Sequence, residues 1–105
     1  MLHPSRDQIE LVDVMAALGH PIRAEIVRVL AASDGDKEQF CGSIVPDVPK
    51  STLTGHWRVL REAGIICQRP EGRKLFIRLR RDDLDARFPG LLDLVRAEGA
   101  RAPSR

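Results

Sequence analysis

The strongest constraint on the fold is a helical pattern that ends at Gly64 and is followed at once by a hairpin pattern. The helix is predicted over 51–63, with Ser51 as its N-cap and Gly64 as its stop. An apolar stripe at helical spacing runs along one side of it: Leu53, Trp57 and Leu60. Because this stripe is narrow, we expect the helix to dock on the rest of the domain through one side and to expose the other.

Two short strands are predicted next, at 65–69 and 73–79, on either side of the turn tripeptide Pro70-Glu71-Gly72. In the second strand, three aliphatic residues alternate with a mostly basic set. The aliphatic residues are Leu75, Ile77 and Leu79, and the alternating ones are Lys74, Phe76, Arg78 and Arg80. The pattern predicts a β-hairpin with a basic tip and a basic outer face.

The positive charge of the chain is concentrated in this helix and hairpin. Residues 50–81 hold nine basic and two acidic residues, a net charge of +7, whereas residues 1–49 carry −4 and residues 82–105 carry −1. Clustered Lys and Arg side chains neutralise phosphates and release counterions, so this segment favours a nucleic-acid partner. The alternative is an ordinary solvated face, which is the usual role of a charge run.

Apolar periodicity elsewhere predicts further helices around this unit. The second of them begins at Pro21, and the last begins after Asp82 as its cap and is interrupted at Pro89-Gly90. Their predicted positions are 7–18, 21–32, 39–45 and 82–98. The predicted fold class is mainly α with a β-hairpin. Four helices, two strands and a fifth helix follow one another in a single winged helix-turn-helix domain of residues 1–105.

Composition and motifs exclude several other classes. The sequence has no apolar run long enough for a membrane span, and its first residues lack the apolar core of a signal peptide. Two cysteines do not make a disulfide scaffold. Together, these three observations predict a cytoplasmic protein with no membrane partner. We expect no enzyme, because the sequence has no Gly-rich phosphate loop and no Cys-His or Ser-His-Asp arrangement in a supporting context.

Two stretches resemble the ArsR/SmtB-type winged-helix transcriptional repressors. The more specific stretch is STLTGHWRVLREAGII at 51–66, followed by the turn Glu71-Gly72-Arg73. The supporting stretch is ALGHPIR at 17–23, and the resemblance extends over residues 8–95. The resemblance implies a homodimer that binds an inverted-repeat operator in double-stranded DNA, acts by default as a repressor, and is released by an effector.

The resemblance also assigns parts of the chain. It implies a helix-turn-helix at 39–64, a wing at 65–79, and dimerisation helices at 7–18 and 82–98. The expected DNA-binding residues are Lys50, Ser51, Thr52, Thr54, Gly55, His56, Arg58, Arg69, Arg73 and Lys74. The expected dimerisation residues are Leu11, Met15, Leu84, Phe88, Leu91, Leu92 and Val95.

The usual metal-binding patterns of this family are missing. Metal-sensing members carry closely spaced cysteines near the third helix, where this chain has Cys41 alone. Zinc-sensing members carry histidines in the last helix, whereas residues 82–99 of this chain contain none. One thiolate cannot build a tetrahedral thiolate site. His20 stands where the family usually has an Asp that caps the second helix, and it is a poorer cap.

Three alternatives for the effector stay open. Cys41, with Cys67 as its partner, is a candidate redox sensor, although two inert thiols are the commoner case. The start Met1-Leu2-His3 offers nitrogen ligands, including the His3 imidazole, for square-planar Ni(II) or Cu(II), and its alternative is a frayed tail. The third alternative is a partner protein, or no effector at all. A winged-helix module for protein interaction, without DNA binding, is the alternative to a regulator.

Overall fold

The computed structural model describes residues 2–33, 39–40, 44 and 47–100, of which residues 39, 40, 99 and 100 are described by their backbone alone. After a 3-10 turn at Arg6–Gln8, the elements are α1 (Leu11–Leu18), α2 (Pro21–Ala32), β1 (Gln39–Phe40), α3 (Lys50–Glu62), β2 (Ile66–Glu71), β3 (Lys74–Leu79), α4 (Arg81–Arg87) and α5 (Leu91–Ala100). The predicted hairpin, with helices before and after it, is therefore present.

α1 begins at Leu11 and not at residue 7. Residues Arg6–Gln8 form a separate turn, in which the Ser5 backbone N–H donates to Gln8 Oε1 at 2.9 Å. Ile9 and Glu10 are extended, and Ile9 is buried in the core. The predicted helical start is wrong because an extended link carries the apolar Ile9 side chain into the core while its polar neighbours stay exposed.

The junction between α1 and α2 is capped by a histidine. His20 is the N-cap of α2, and its Nδ1 accepts a hydrogen bond from the Ile22 backbone N–H at 3.1 Å. Pro21 occupies the first helical position, as predicted, where its missing N–H costs nothing. His20 therefore satisfies one of the N–H groups that the start of α2 would otherwise leave without a partner.

The predicted third helix at 39–45 is wrong at its start. Gln39–Phe40 form strand β1, which pairs antiparallel with β3 through Gln39↔Ile77 and Phe40↔Phe76. The sheet therefore has three strands in the order β1-β3-β2. Pairing gives hydrogen-bond partners to an edge of β3 that a two-stranded hairpin would leave open. Residues 41–43 and 45–46 lie outside the described residues.

β2 and β3 form the predicted hairpin with a tighter turn. Their pairing runs from Ile66↔Leu79 to Glu71↔Lys74, so Gly72 and Arg73 form the turn, and Pro70 and Glu71 belong to β2. Gly72 has a φ of +63°, a conformation that glycine adopts without steric cost and that short hairpin turns require. The predicted three-residue turn is thus two residues long.

α3 packs on the core through the predicted stripe of Leu53, Trp57 and Leu60, all of which are buried. The chain leaves α3 through Gly64, which has a φ of +87°. A Cβ at Gly64 would lie 2.5 Å from Ile9 Cγ1, so glycine is required there by both backbone conformation and space. This close approach fixes the end of α3 against the segment that precedes α1.

The C-terminal helical region is divided into α4 and α5 at Pro89-Gly90, as predicted. Arg80 and not Asp82 is the N-cap of α4, so the predicted cap is wrong. The carboxylate of the next residue, Asp83, accepts side-chain hydrogen bonds from Arg80 and Arg6. α5 lies against α2. Within the described part of the chain, no helix is long and apolar enough to cross a membrane.

Candidate nucleic-acid interface

The candidate interface begins at the N-terminus of α3. The helix starts at Lys50, and the Pro49 carbonyl accepts hydrogen bonds from the Thr52 and Leu53 N–H groups, both at 3.0 Å. Pro49, with φ −58° and ψ 143°, is therefore the N-cap, and the prediction that Ser51 caps the helix is wrong. Ser51 lies in the first turn with its side chain exposed, where a hydroxyl and the first N–H groups suit a phosphate or a base edge.

The side of α3 away from the core carries short polar side chains and one arginine. Ser51, Thr52, Thr54 and Arg58 are exposed, and Gly55 is half-buried. The Thr54 hydroxyl donates to the Lys50 carbonyl oxygen at 3.0 Å, so it offers its lone pairs to other groups. Lys50 is also exposed, at the start of the helix. Six of the predicted DNA-binding residues therefore share one helix and its solvent-facing surface.

His56 lies at the flank of α3 that faces the α1–α2 junction. Its Nδ1 lies 3.2 Å from Arg23 Nη1, and its ring centroid lies 4.5 Å from that of His20. A guanidinium group has donors only, so His56 Nδ1 accepts and Nε2 carries the proton. Burial, followed by the nearby charges of His20 and Arg23, lowers the pKa of His56 and favours this neutral form.

Arg23 connects the three helices that surround this histidine. Its Nε donates to the Ala17 carbonyl oxygen at 2.7 Å, near the C-terminus of α1, while its Nη1 reaches His56 on α3. No role for Arg23 was predicted from the sequence. The only signal was its place in the ALGHPIR stretch, because the contact with His56 joins residues 33 positions apart.

The wing presents its predicted basic residues at the hairpin tip. Arg69, Arg73 and Lys74 are exposed. The Arg69 guanidinium lies 5.2 Å from the centre of the Phe76 ring and 3.6 Å from a Glu71 carboxylate oxygen. These two contacts hold Arg69 along the strand.

Three of the nine basic residues in 50–81 have structural roles that the sequence did not reveal. Arg61 Nη1 donates to Gln68 Oε1 at 2.7 Å, which joins α3 to β2. Arg80 pairs with Asp83 at 2.8 Å, and Arg81 Nη2 lies 3.4 Å from the last carbonyl oxygens of α2. The six remaining basic residues and the two exposed acidic ones leave the surface of α3 and the wing with a net charge of +4.

Of the predicted effector residues, His3 lies against the wing and Cys67 lies within it. His3 Nε2 accepts a hydrogen bond from the Gln68 backbone N–H at 3.0 Å, so the amino-terminal segment is docked on β2. Cys67 is half-buried in the same strand, opposite Arg78. Cys41 and Met1 lie outside the described residues. Among the residues that the structure describes, no three His, Cys, Asp or Glu side chains come together as a metal site would require.

The predicted dimerisation residues divide into three groups by exposure. Leu11 and Met15 are exposed on α1 together with Val12, which is 71% exposed. Phe88, Leu91 and Val95 are partly buried against the core. Leu84 and Leu92, at 1% and 4% exposure, lie inside the protomer core, so the prediction that they contact a partner is corrected. Among the described side chains of α5, the exposed large apolar residue is Leu94, which was not among the predicted residues.

Comparisons with known proteins agree with this geometry. The family described as "Helix-turn-helix domain" matches residues 18–69. An uncharacterized HTH-type transcriptional regulator, YceK of Bacillus subtilis (strain 168), is 34% identical over 93 residues, which cover 87% of this chain and 90% of the relative. The crystal structure of the transcriptional repressor BigR from Xylella fastidiosa matches with a TM-score of 0.64 at 23% identity, over 90% of this chain and 88% of that one. The predicted winged-helix fold class is confirmed.

Proposed function

Because this chain belongs to the ArsR-type winged helix-turn-helix transcriptional regulators, we propose that it binds an operator in double-stranded DNA as a homodimer and represses transcription. In this proposal, α3 enters the major groove and the wing follows the adjacent phosphate backbone. The expected DNA-binding residues are those named on α3 and at the hairpin tip. The family is one of transcription regulators, and we infer no catalytic activity.

One observation carries this proposal, namely that α3 buries one stripe and exposes a polar face beside a basic hairpin. Ser51, Thr52 and Arg58 have the hydrogen-bonding groups that read base edges or bind phosphates. The Arg61–Gln68 hydrogen bond of 2.7 Å ties α3 to the wing strand. The two elements would therefore engage the duplex as one rigid unit.

The exposed apolar face of α1 supports the homodimer. Leu11, Val12 and Met15 are exposed side by side on this helix, and Leu94 is exposed on α5. A second copy would remove this apolar surface from water. A twofold pair of recognition helices spaced one DNA turn apart, roughly 34 Å, would then match an inverted repeat.

The contribution of the wing is tested by the salt dependence of DNA binding. We expect Arg73→Ala with Lys74→Ala to weaken binding and to lower the slope of log affinity against log salt by about 0.9 for each phosphate that is no longer neutralised. The measurement is a mobility shift on the chain's own promoter region at several salt concentrations. Arg28→Ala with Arg96→Ala is the charge-matched control, since both cations pair with nearby carboxylates away from α3 and the wing.

An unchanged slope in the wing variant would remove the wing from the interface. If the folded wild-type chain retards no duplex at any salt concentration, the proposal itself fails, and the protein-interaction module becomes the better account. A control variant whose slope falls as much as that of the wing variant would show only a general charge effect.

For the effector, we propose that the amino-terminal segment and Cys67 are the points of control. Coordination of Ni(II) or Cu(II) by the terminal amine, the first backbone amides and the His3 imidazole would compete with the hydrogen bond that His3 accepts from the Gln68 N–H. Oxidation of Cys67 would disturb β2 directly. The same mobility shift with nickel, copper or peroxide, on wild type, His3→Ala and Cys67→Ser, tests both. If the metal effect persists in His3→Ala, or the peroxide effect in Cys67→Ser, that residue is not the point of control. If no addition changes DNA binding, a partner protein becomes the better candidate for the effector.

A further inference from the structure

The middle of α3 holds a glycine that the fold does not require. Gly55 is the sixth of thirteen residues in the helix. It is not among the described glycines with a positive φ, so its backbone suits any residue. A Cβ built at Gly55 would meet no heavy atom within 4 Å. Neither conformation nor packing within the protomer therefore accounts for glycine at this position.

This glycine is costly to the helix that contains it. Glycine is the poorest helix former after proline, because its backbone loses the most conformational freedom when the helix forms. Gly64 offers a contrast, since there a Cβ would lie 2.5 Å from Ile9 Cγ1 and the φ is +87°. Because the protomer would accept alanine at this position, the glycine there points to a requirement from outside the protomer.

The position of Gly55 on the helix indicates what that requirement is. Ser51 lies one turn before it and Arg58 one turn after it, so the three residues line the same side. That side lies opposite the buried stripe of Leu53, Trp57 and Leu60. Gly55 is thus at the centre of the face that the proposed function directs at DNA.

We propose that Gly55 is the point of closest approach between α3 and the operator, and that its missing side chain sets how deeply the helix enters the major groove. This inference rests on the proposed function. Ser51 and Thr52 have short side chains and reach base edges only when the helix backbone lies close to them. A methyl group at Gly55, which adds about 1.5 Å, would hold the helix away from the bases and break those contacts.

The proposal predicts opposite effects on stability and on sequence-specific binding. Gly55→Ala removes the helix penalty, so the melting temperature should rise by about 4 °C or more. The same variant should bind its operator at least about tenfold more weakly, because the loss falls on base contacts. Binding to unrelated DNA at low salt rests on phosphate contacts and should change by less than about threefold.

The probe is the duplex that the wild-type chain selects from a random-sequence pool. Melting is followed by circular dichroism, and affinity by fluorescence anisotropy on the selected duplex and on a scrambled one. Ala86→Gly is the matched control, since it makes the reverse exchange at an exposed position of α4. This control should melt at a lower temperature and bind the selected duplex as wild type does.

Equal affinity of wild type and Gly55→Ala for the selected duplex would overturn the proposal while leaving the proposed function intact. An equal loss on the selected and scrambled duplexes would also overturn it, because depth in the groove affects base contacts first. Failure of the wild-type chain to select or bind any duplex would overturn the proposed function and this inference together.

Discussion

His56 shows how a single residue on the recognition helix depends on residues far away in sequence. Arg23 donates to its Nδ1 at 3.2 Å, and the His20 ring packs beside it at 4.5 Å. These contacts leave Nε2 as the proton-bearing nitrogen, so the proposed DNA contact of His56 would be made by a hydrogen-bond donor of defined tautomer.

The lowered pKa of His56 predicts a pH dependence of stability. The folded state resists protonation of His56, so the free energy of unfolding should fall as the pH drops below about 6.5, the ordinary value for histidine. Nuclear magnetic resonance titration should give His56 a pKa below that value, and His56→Gln should reduce the loss of stability between pH 7 and 5. A pKa at or above the ordinary value would contradict the geometry around Arg23.

At the scale of elements, the chain before α1 is held in place by the start of α4. Arg80 is 9% exposed, pairs with Asp83 at 2.8 Å and donates to the Pro4 carbonyl oxygen at 2.6 Å. Asp83 also accepts from Arg6 at 2.7 Å. The hydrogen bond from Arg6, followed by the one from Arg80, lowers the pKa of Asp83. One carboxylate thus joins the amino-terminal segment, the end of β3 and α4.

Loss of this carboxylate should destabilise the protein. Asp83→Asn leaves the buried Arg80 guanidinium without its counter-ion, and we expect a loss of about 1–3 kcal/mol in the free energy of unfolding. Urea denaturation measures the difference. Asp82→Asn is the matched control, because Asp82 is exposed one residue earlier in the same helix, and its effect should stay within about 0.5 kcal/mol. Equal effects of the two substitutions would argue against this role of Asp83.

At the scale of the whole molecule, the protomer measures 37 × 35 × 25 Å, close to one turn of B-DNA at roughly 34 Å. In the proposed complex, one protomer would therefore match one half-site, and a second copy would be needed to reach the next. The apolar face of α1 is the surface we propose for that contact.

A charge placed on α1 should separate the protomers. Met15 is 60% exposed, so Met15→Asp leaves the protomer core unchanged and puts a carboxylate into the proposed contact. Sedimentation velocity should show monomers and the mobility shift should weaken. Leu2→Asp makes the same kind of change at an exposed apolar residue outside α1 and should leave the dimer intact. A Met15→Asp dimer as stable as that of wild type would place the interface elsewhere.

The sequence by itself determined the elements whose pattern is local. The stripe of Leu53, Trp57 and Leu60, the hairpin alternation and the helix after Pro21 depend on residues a few positions apart, so their periodicity could be recognised without a structure. The same stretch carried the resemblance to the family and the exposed face of α3.

Tertiary structure alone decided which residues serve the fold and which remain for binding. Arg61, Arg80 and Arg81 have the same side chain as Arg58 and Arg73, yet each bonds to another element of the fold. Arg61 reaches Gln68 on β2, and Arg81 approaches the end of α2. Arg80 reaches Pro4 over 76 positions, and Gln68 binds His3 over 65. The strand at Gln39–Phe40 likewise exists because β3 offers an edge to pair with. Such pairings depend on tertiary contacts that local periodicity does not encode. The exposed face of α3 could therefore be predicted from the sequence, whereas the net charge left on α3 and the wing could not.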